Sequence, residues 1–398
     1  MEEFEVVVVG GGPAGATAAA TLARRGRSVL LLDREGRIKP CGGAIPPRLI
    51  RDFEIPDSLL VAKVDSARMV APSGRGVDMP IEGGYVGMVD REEFDEWLRC
   101  RAAAAGAERR RGSFREITRD DDGTAVVHYR APRDDRGAPT RTVAVRARAV
   151  IGADGANSRV AHQMVPGGDA IPYVAAYHEI IRSPQQGHGD FDGKRCDVYY
   201  QGKLSPDFYA WIFPHGDHTS VGVGSANKGF SLRGAVSELR HATGMTECET
   251  IRREGAPIPL KPLKRWDNGR DVLLAGDAAG IVAPASGEGI YYAMVGGQFA
   301  AESVDEFCAT GDARALKKAR KRFLKEHGRV FWVLGMLQKF WYSTDKRRER
   351  FVTICEDPDV QRLTWEAYMN KRLVRARPVA HVRIFFKDLA HLLGIVSP

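Results

Sequence analysis

Phe4 to Val9 is an unbroken apolar run that gives way to G-G-G-P-A-G and then to apolar residues at helical spacing from Ala14 to Arg25. That order predicts a buried strand, a glycine turn and a helix. A second short strand, Ser28 to Leu32, ends in Asp33-Arg34. Val86 to Ala107 reads as a strand end followed by a helix with Phe94, Trp97 and Leu98 on one face. Val126 to Tyr129 and Thr142 to Val150 form a hairpin around the polar turn Pro132 to Pro139, and the second strand runs into I-G-A-D-G-A-N-S-R-V, where Ser158-Arg159 starts a helix. From about Ala161 the pattern changes to short aromatic alternations: Tyr173 to Ile181, Asp197 to Tyr200, Phe208 to Pro214 and Ser220 to Gly224. These predict an antiparallel sheet inserted before the strand Val272 to Leu274 returns to the first domain. Beyond Gly311 the chain is helical and basic, with Leu316, Phe323, Val330, Leu334, Leu337 and Trp341 recurring on one side. The expected architecture is α/β: a Rossmann-like domain from 1–161 and 269–310, an antiparallel-sheet domain over 162–268, and a helical region over 311–398.

Composition narrows the function classes. The 398 residues are 43% hydrophobic and 28% charged, which suits a globular chain of two domains and an appendage. A formal charge of +8 and a sequence pI near 9.2 favour an anionic partner, and no nucleic-acid motif accompanies them. The six cysteines have no C-x-x-C or His-linked spacing, so no metal site is expected, and reduced thiols in a cytosolic setting are the simpler reading. A strand from residue 4 leaves no room for a signal peptide, and no apolar run approaches the ~20 residues of a membrane span.

The glycines carry the first chemical signal. Gly10, Gly12 and Gly15 occupy the G-x-G-x-x-G positions between strand and helix, and Asp33 lies where an acidic side chain holds a ribose hydroxyl. This points to a dinucleotide and leaves FAD and NAD(P) undistinguished. Asp154-Gly155 is a second place where main chain can meet a pyrophosphate. Gly276-Asp277 opens D-V-L-L-A-G-D-A-A-G-I-V-A-P-A-S-G-E-G-I-Y-Y-A-M, where small residues expose the main chain, Asp277 offers a carboxylate to ribityl or ribose hydroxyls, and a helix start near Gly289 points its dipole at the same place. Arg91 is either a phosphate contact or a solvated side chain. Cys41-Gly42-Gly43, in a proline-stiffened loop, can approach a planar ligand, though a buried inert thiol is the common fate of such a cysteine. Tyr209, Trp211 and Phe213 alternate onto one face, either as core or as the wall of an apolar substrate cavity.

G-G-G-P-A-G, the acidic residue at 33, Asp154-Gly155 and Gly276-Asp277 together resemble the flavin-dependent family that includes p-hydroxybenzoate hydroxylase. K-P-C-G-G-A-I-P-P at 39–47, Y-A-W-I-F-P at 209–214 and P-A-S-G-E-G-I-Y-Y-A-M at 284–294 are similar to the geranylgeranyl reductases. Ala44, where archaeal lipid reductases tend to have a third glycine, resembles the chlorophyll and bacteriochlorophyll branch. The resemblance implies FAD held by Gly10, Gly12, Pro13, Ala14, Gly15, Asp33, Arg34, Cys41, Gly42, Gly43, Ala44, Arg91, Asp154, Gly155, Gly276, Asp277, Pro284, Gly287, Gly289 and Ile290. It implies hydride from NADPH and reduction of a geranylgeranyl chain to phytyl, with Cys41, Tyr209 and Trp211 at the chemistry. The chain would be carried by a diphosphate or by the pigment, and the synthase that attaches it is a candidate partner. A solvated charged face is the default for the basic C-terminal helix, but such a substrate partitions into lipid, so peripheral contact with a cytoplasmic or photosynthetic membrane is expected through Lys317, Lys318, Lys321, Arg322, Lys325 and Lys346-Arg347-Arg348, with Phe331, Trp332, Phe340 and Trp341 at the interface. An aromatic hydroxylase on the same fold, or a prenyl-binding escort without catalysis, are the competing readings.

Overall fold

A computed structural model describes residues 1–34, 38–132, 141–187 and 189–371. The expected turn tip at 133–139 and the end of the basic C-terminal region fall outside these residues. The chain divides into two compact units: Met1–Lys39, Arg91–Tyr173 and Pro257–Phe331 form the first, and Pro40–Asp90, Val174–Ala256 and Trp332–Pro398 the second. The helical region beyond 311 is therefore shared between the units, and 40–90 joins the second.

In the first unit, the described residues build a seven-stranded sheet in the order 108–111, 29–33, 2–9, 142–152, 125–130 and 113–119, with Val272–Leu274 paired onto 142–152. Glu2–Val9 runs parallel to both neighbours, Val6 opposite Val29 on one side and Ala149 on the other. Val6 to Val9 are all buried, which is why this strand reads as a continuous apolar run rather than an alternation. Helix Pro13–Arg24 packs on helix Ile290–Thr310, and a Cβ on Gly297 would enter the Ala14 carbonyl. Only a glycine there lets the two backbones approach so closely.

In the second unit, the sheet order is 250–259, 173–182, 218–225, 210–215, 195–199, 66–70 and 76–80. The expected strands are present, but the sheet is larger than expected and not wholly antiparallel. Ser66–Val70 and Gly76–Pro80 join it from the N-terminal side of the chain, and Arg195–Tyr199 pairs parallel with Ser66–Val70. One sheet face is capped by helix Leu232–Ala242: Ala210, Ile212, Val221 and Val223 pack with Ala235, Val236 and Leu239. Strand alternation then sends Tyr209, Trp211 and Phe213 to the opposite face. Phe213 joins Ala67, Met88, Cys196 and the helix residues Trp365 and Tyr368 there.

Helix Lys317–Trp341 departs from the expected membrane face in two respects. Phe331 and Trp341 are buried, whereas Trp332 is 67% and Met336 49% exposed. Lys318 pairs with Glu306 at 2.5 Å, and Arg322 with Glu302 and Glu326, so part of the basic face is already neutralised. No helix among the described residues is long and apolar enough to cross a membrane.

Candidate functional site

The glycine turn of the first unit is shaped by collisions that side chains would cause. Gly10 has φ of +105°, in the left-handed region, and a Cβ there would strike the Ala153 carbonyl; a Cβ on Gly15 would strike the carbonyl oxygen of Gly10. At Gly12 and Gly155, by contrast, no atom lies within 4 Å of a built Cβ. Helix Pro13–Arg24 begins at Gly12 with no side-chain cap, so its first-turn N–H groups face this open ground. Asp33 accepts from Arg99 Nη1 at 3.1 Å, and Arg99 also reaches the Gly11 carbonyl at 3.4 Å. Arg34 is exposed beside it.

Asp277 lies on a tight turn, Gly276–Ala279, directly after Val272–Leu274. It is buried and ion-paired with Lys39, and a Cβ on Gly276 would press against Ala14 of the first helix. Gly289 comes within 3.8 Å of Asp277 Oδ1 when a Cβ is built on it, and the long helix starts at the next residue, Ile290. Buried Glu288 accepts from the Tyr291 N–H at 3.1 Å, a cap that the sequence reading passed over although its place one residue before Gly289 was visible. Pro284 is buried and Gly287 turns with φ of +66°. Gly10–Gly15, Asp33, Gly276–Asp277 and the helix start thus belong to one compact unit, and their open main chain fits a dinucleotide.

Two expected contacts are used differently. Asp154 turns inward: it accepts from Ser158 Oγ at 2.5 Å and the Arg159 N–H at 2.7 Å, while burial pushes its carboxyl pKa up. It fastens the turn and leaves Gly155 as the open surface. Arg91 is neither solvated nor free, being 5% exposed with its guanidinium on Asp95 at 2.9 and 2.7 Å. The i, i+4 spacing of Arg91 and Asp95 was visible in the sequence, but neither reading given for Arg91 used it.

Beside Gly155 a cavity of about 530 Å³ is lined by Arg115, Asn157, Arg159, His162, Asp169 and Tyr173, among others. Arg115 occupies a bulge: Phe114 lies opposite Tyr129 and Glu116 opposite His128, so Arg115 is the extra residue whose side chain the bulge re-aims. Burial first, then the charges of Arg130 and Arg159, lower its pKa. Among the described residues no carboxylate lies in ion-pair range of Arg115 or Arg159. No sequence signal marked this cluster, because the bulge that builds it has none.

In the second unit, Tyr209, Trp211 and Phe213 form a row of rings, with centroids 5.9 and 6.1 Å apart. The Cys41–Gly43 turn packs on its end, a Cβ on Gly42 lying 3.1 Å from the Phe213 ring. Cys41 is half-buried with its sulfur 3.4 Å from the Gly43 N–H. Gly43 has φ of +68°, and Ala44 pairs with Met88 in a small sheet. Burial pushes the Tyr209 phenol pKa far up, so Tyr209 offers a ring face rather than an acid. Two histidines flank the row that the sequence did not single out. His215 donates Nδ1–H to the Phe213 carbonyl at 2.9 Å, faces Gly43, and is pushed down to about 4 by burial. His178 is linked to the row through Ser220.

Residues 3–167 match the model of an FAD-binding domain family. The chain is 57% identical over 397 residues to a geranylgeranyl diphosphate reductase of Rhodobacter capsulatus, covering all of this chain and 99% of that protein. A protein of the same name from Synechocystis is 37% identical, covering 98% of both. A geranylgeranyl bacteriochlorophyll reductase-like structure from Thermoplasma acidophilum superposes with a TM-score of 0.81 at 23% identity, covering 94% of this chain and 98% of that one.

Proposed function

The chain belongs to the geranylgeranyl reductase family of flavin oxidoreductases, and from that premise we propose that it uses NADPH to saturate isolated double bonds of a geranylgeranyl chain, giving phytyl, in chlorophyll or bacteriochlorophyll synthesis. The chain is presented as the free diphosphate or already esterified to the pigment. The observation that carries this reading is the row Tyr209, Trp211 and Phe213 with the Cys41–Gly43 turn packed on its end.

An isolated trisubstituted alkene is a poor hydride acceptor, so proton delivery precedes or accompanies hydride transfer and positive charge develops on a tertiary carbon. Bound FAD supplies the hydride. Gly12, Gly155 and the first helix would hold its phosphates and Asp277 its hydroxyls. In the second unit the ring faces of Tyr209 and Trp211 stabilise the developing cation by roughly 0.5–2 kcal/mol each. Their apolar burial excludes water that would otherwise trap it. Cys41 orders the loop at the end of the row, its sulfur lying 3.4 Å from the Gly43 N–H. Arg115 and Arg159, which no carboxylate among the described residues pairs, suit the phosphates of NADPH. Trp332 and Met336, with Lys325, Arg329 and Lys339 at helical spacing on the same helix, supply the contact with an anionic membrane surface from which the lipid-soluble substrate is collected.

Anaerobic incubation with NADPH and either geranylgeranyl diphosphate or the geranylgeranyl-esterified pigment, followed by mass analysis, tests the reading and separates the two substrates. Stepwise gain of hydrogen pairs on the tail supports it. Oxygen consumption tied to turnover of an aromatic substrate would instead identify a hydroxylase, and a colourless purified protein would favour an escort.

A further inference from the structure

The indole of Trp211 has a hydrogen-bonded tether that runs back to a carboxylate. Its Nε1–H donates to Ser220 Oγ at 3.1 Å. An indole N–H only donates, so the serine oxygen accepts here. The Ser220 hydroxyl in turn lies 2.9 Å from His178 Nδ1, and His178 Nε2 lies 3.1 Å from Glu254 Oε2. In a neutral imidazole this order assigns every proton: Ser220 donates to Nδ1, and Nε2–H donates to Glu254. Glu254 is held from its other side by Arg252 at 2.6 Å. Ser220 is fully buried and His178 is 3% exposed.

The backbone is cut to the same purpose. Trp211 lies opposite Gly222 in the sheet, and a Cβ on Gly222 would enter the indole and lie 2.6 Å from the His178 Cβ. The glycine lets the indole lie over the neighbouring strand, and the tether selects its rotation there. His178 itself is tilted to the indole with ring centroids 6.3 Å apart. A ring without the N–H tether turns about its side-chain bonds, and a cation is attracted by the face of an aromatic ring but repelled by its edge.

We propose that Glu254, His178 and Ser220 are positioning residues that fix the Trp211 indole so that its face, not its edge, meets the positive charge developing on the alkene. This rests on the placement of Trp211 in the substrate wall. The relay carries no proton to substrate; it sets orientation alone.

The test is a double-mutant cycle on the purified holoenzyme. Two steps are followed separately: bleaching of the flavin by NADPH, and anaerobic reoxidation by geranylgeranyl diphosphate with product analysis. Ser220→Ala is expected to slow the second step about tenfold, the weight of one ring face. The first step, the flavin content and KM for the prenyl substrate stay near wild type. His178→Phe, which keeps a ring and removes both hydrogen bonds, behaves alike. In a Trp211→Phe background neither substitution slows the second step further, because no N–H remains to be held. Equal slowing in both backgrounds, at melting temperatures matched by ligand-free scans, overturns the relay and leaves Trp211 in the wall. Wild-type turnover in Trp211→Phe alone removes Trp211 from the wall and overturns the proposal with it.

Discussion

On the function proposed above, the two units recognise their ligands by opposite means. The first does so with main chain: Gly10, Gly12, Gly15, Gly155, Gly276 and Gly289 clear side chains away, and few side chains, chiefly Asp33 and Asp277, add specificity. The second does so with side chains: Tyr209, Trp211 and Phe213 make a surface whose shape depends on Ser220, His178, His215 and Gly222 behind it. The difference follows from the ligands. A pyrophosphate needs fixed N–H donors, which any backbone has. An apolar chain with a transient cation needs contact area and correctly turned ring faces, which only packed side chains provide.

The comparison breaks most sharply at Asp277. Asp277→Ala is expected to lose most of its FAD while the aromatic row stays intact; full flavin content in a folded variant, read by absorbance after gel filtration, would remove Asp277 from the cofactor site. Next comes pH. His215 is held neutral by burial, down to about 4 from an ordinary 6.5, so its stabilising contribution is complete above pH 6.5 and is lost as pH falls towards 4. Over that range about 3 kcal/mol should disappear, and His215→Phe should flatten this slope in denaturant titrations. A wild-type slope in the variant would show that the dependence lies elsewhere. Gly222→Ala should cost about 1–3 kcal/mol through the collision with Trp211, slowing alkene reduction with flavin binding retained. Loss of flavin in this variant would mean that the two units are not separable in the way argued. The smallest effect is at the membrane. Replacing Trp332 with Ala, or Lys325, Arg329 and Lys339 with Gln, should weaken salt-sensitive sedimentation with acidic vesicles by about 1 kcal/mol per basic residue. Unchanged binding by both would leave the substrate to arrive by another route.

The same contrast explains what could be read from sequence. The first unit's signals are local: strand, glycine turn and helix occur within about 25 residues, and the Asp277 segment repeats the form, so these elements were placed to within a residue or two. The second unit depends on long-range pairing. Nothing local tells that Ser66–Val70 lies beside Arg195–Tyr199, which is why the sequence reading kept 40–90 with the first domain while the structure groups it with the second unit. The alternation of Tyr209, Trp211 and Phe213 was visible, but what stands behind them was not: Ser220, His178 and Glu254 lie on three strands and meet only when the sheet is formed. Arg115 escaped because a bulge has no fixed sequence mark. Phe331 and Trp341 were read as interfacial from their type, while the structure buries them and exposes Trp332.

The central claim is the proposed reaction itself: electrons from NADPH end on an isolated double bond of a prenyl chain. It is tested most directly by anaerobic single turnover. Enzyme bleached with one equivalent of NADPH is mixed with geranylgeranyl diphosphate, or with the esterified pigment, and absorbance and product mass are followed together. The account predicts that yellow colour returns without oxygen, at the rate at which a hydrogen pair appears on the tail, and that Trp211→Phe slows both equally. Flavin that stays bleached until oxygen is admitted, with the prenyl chain unchanged, would contradict it.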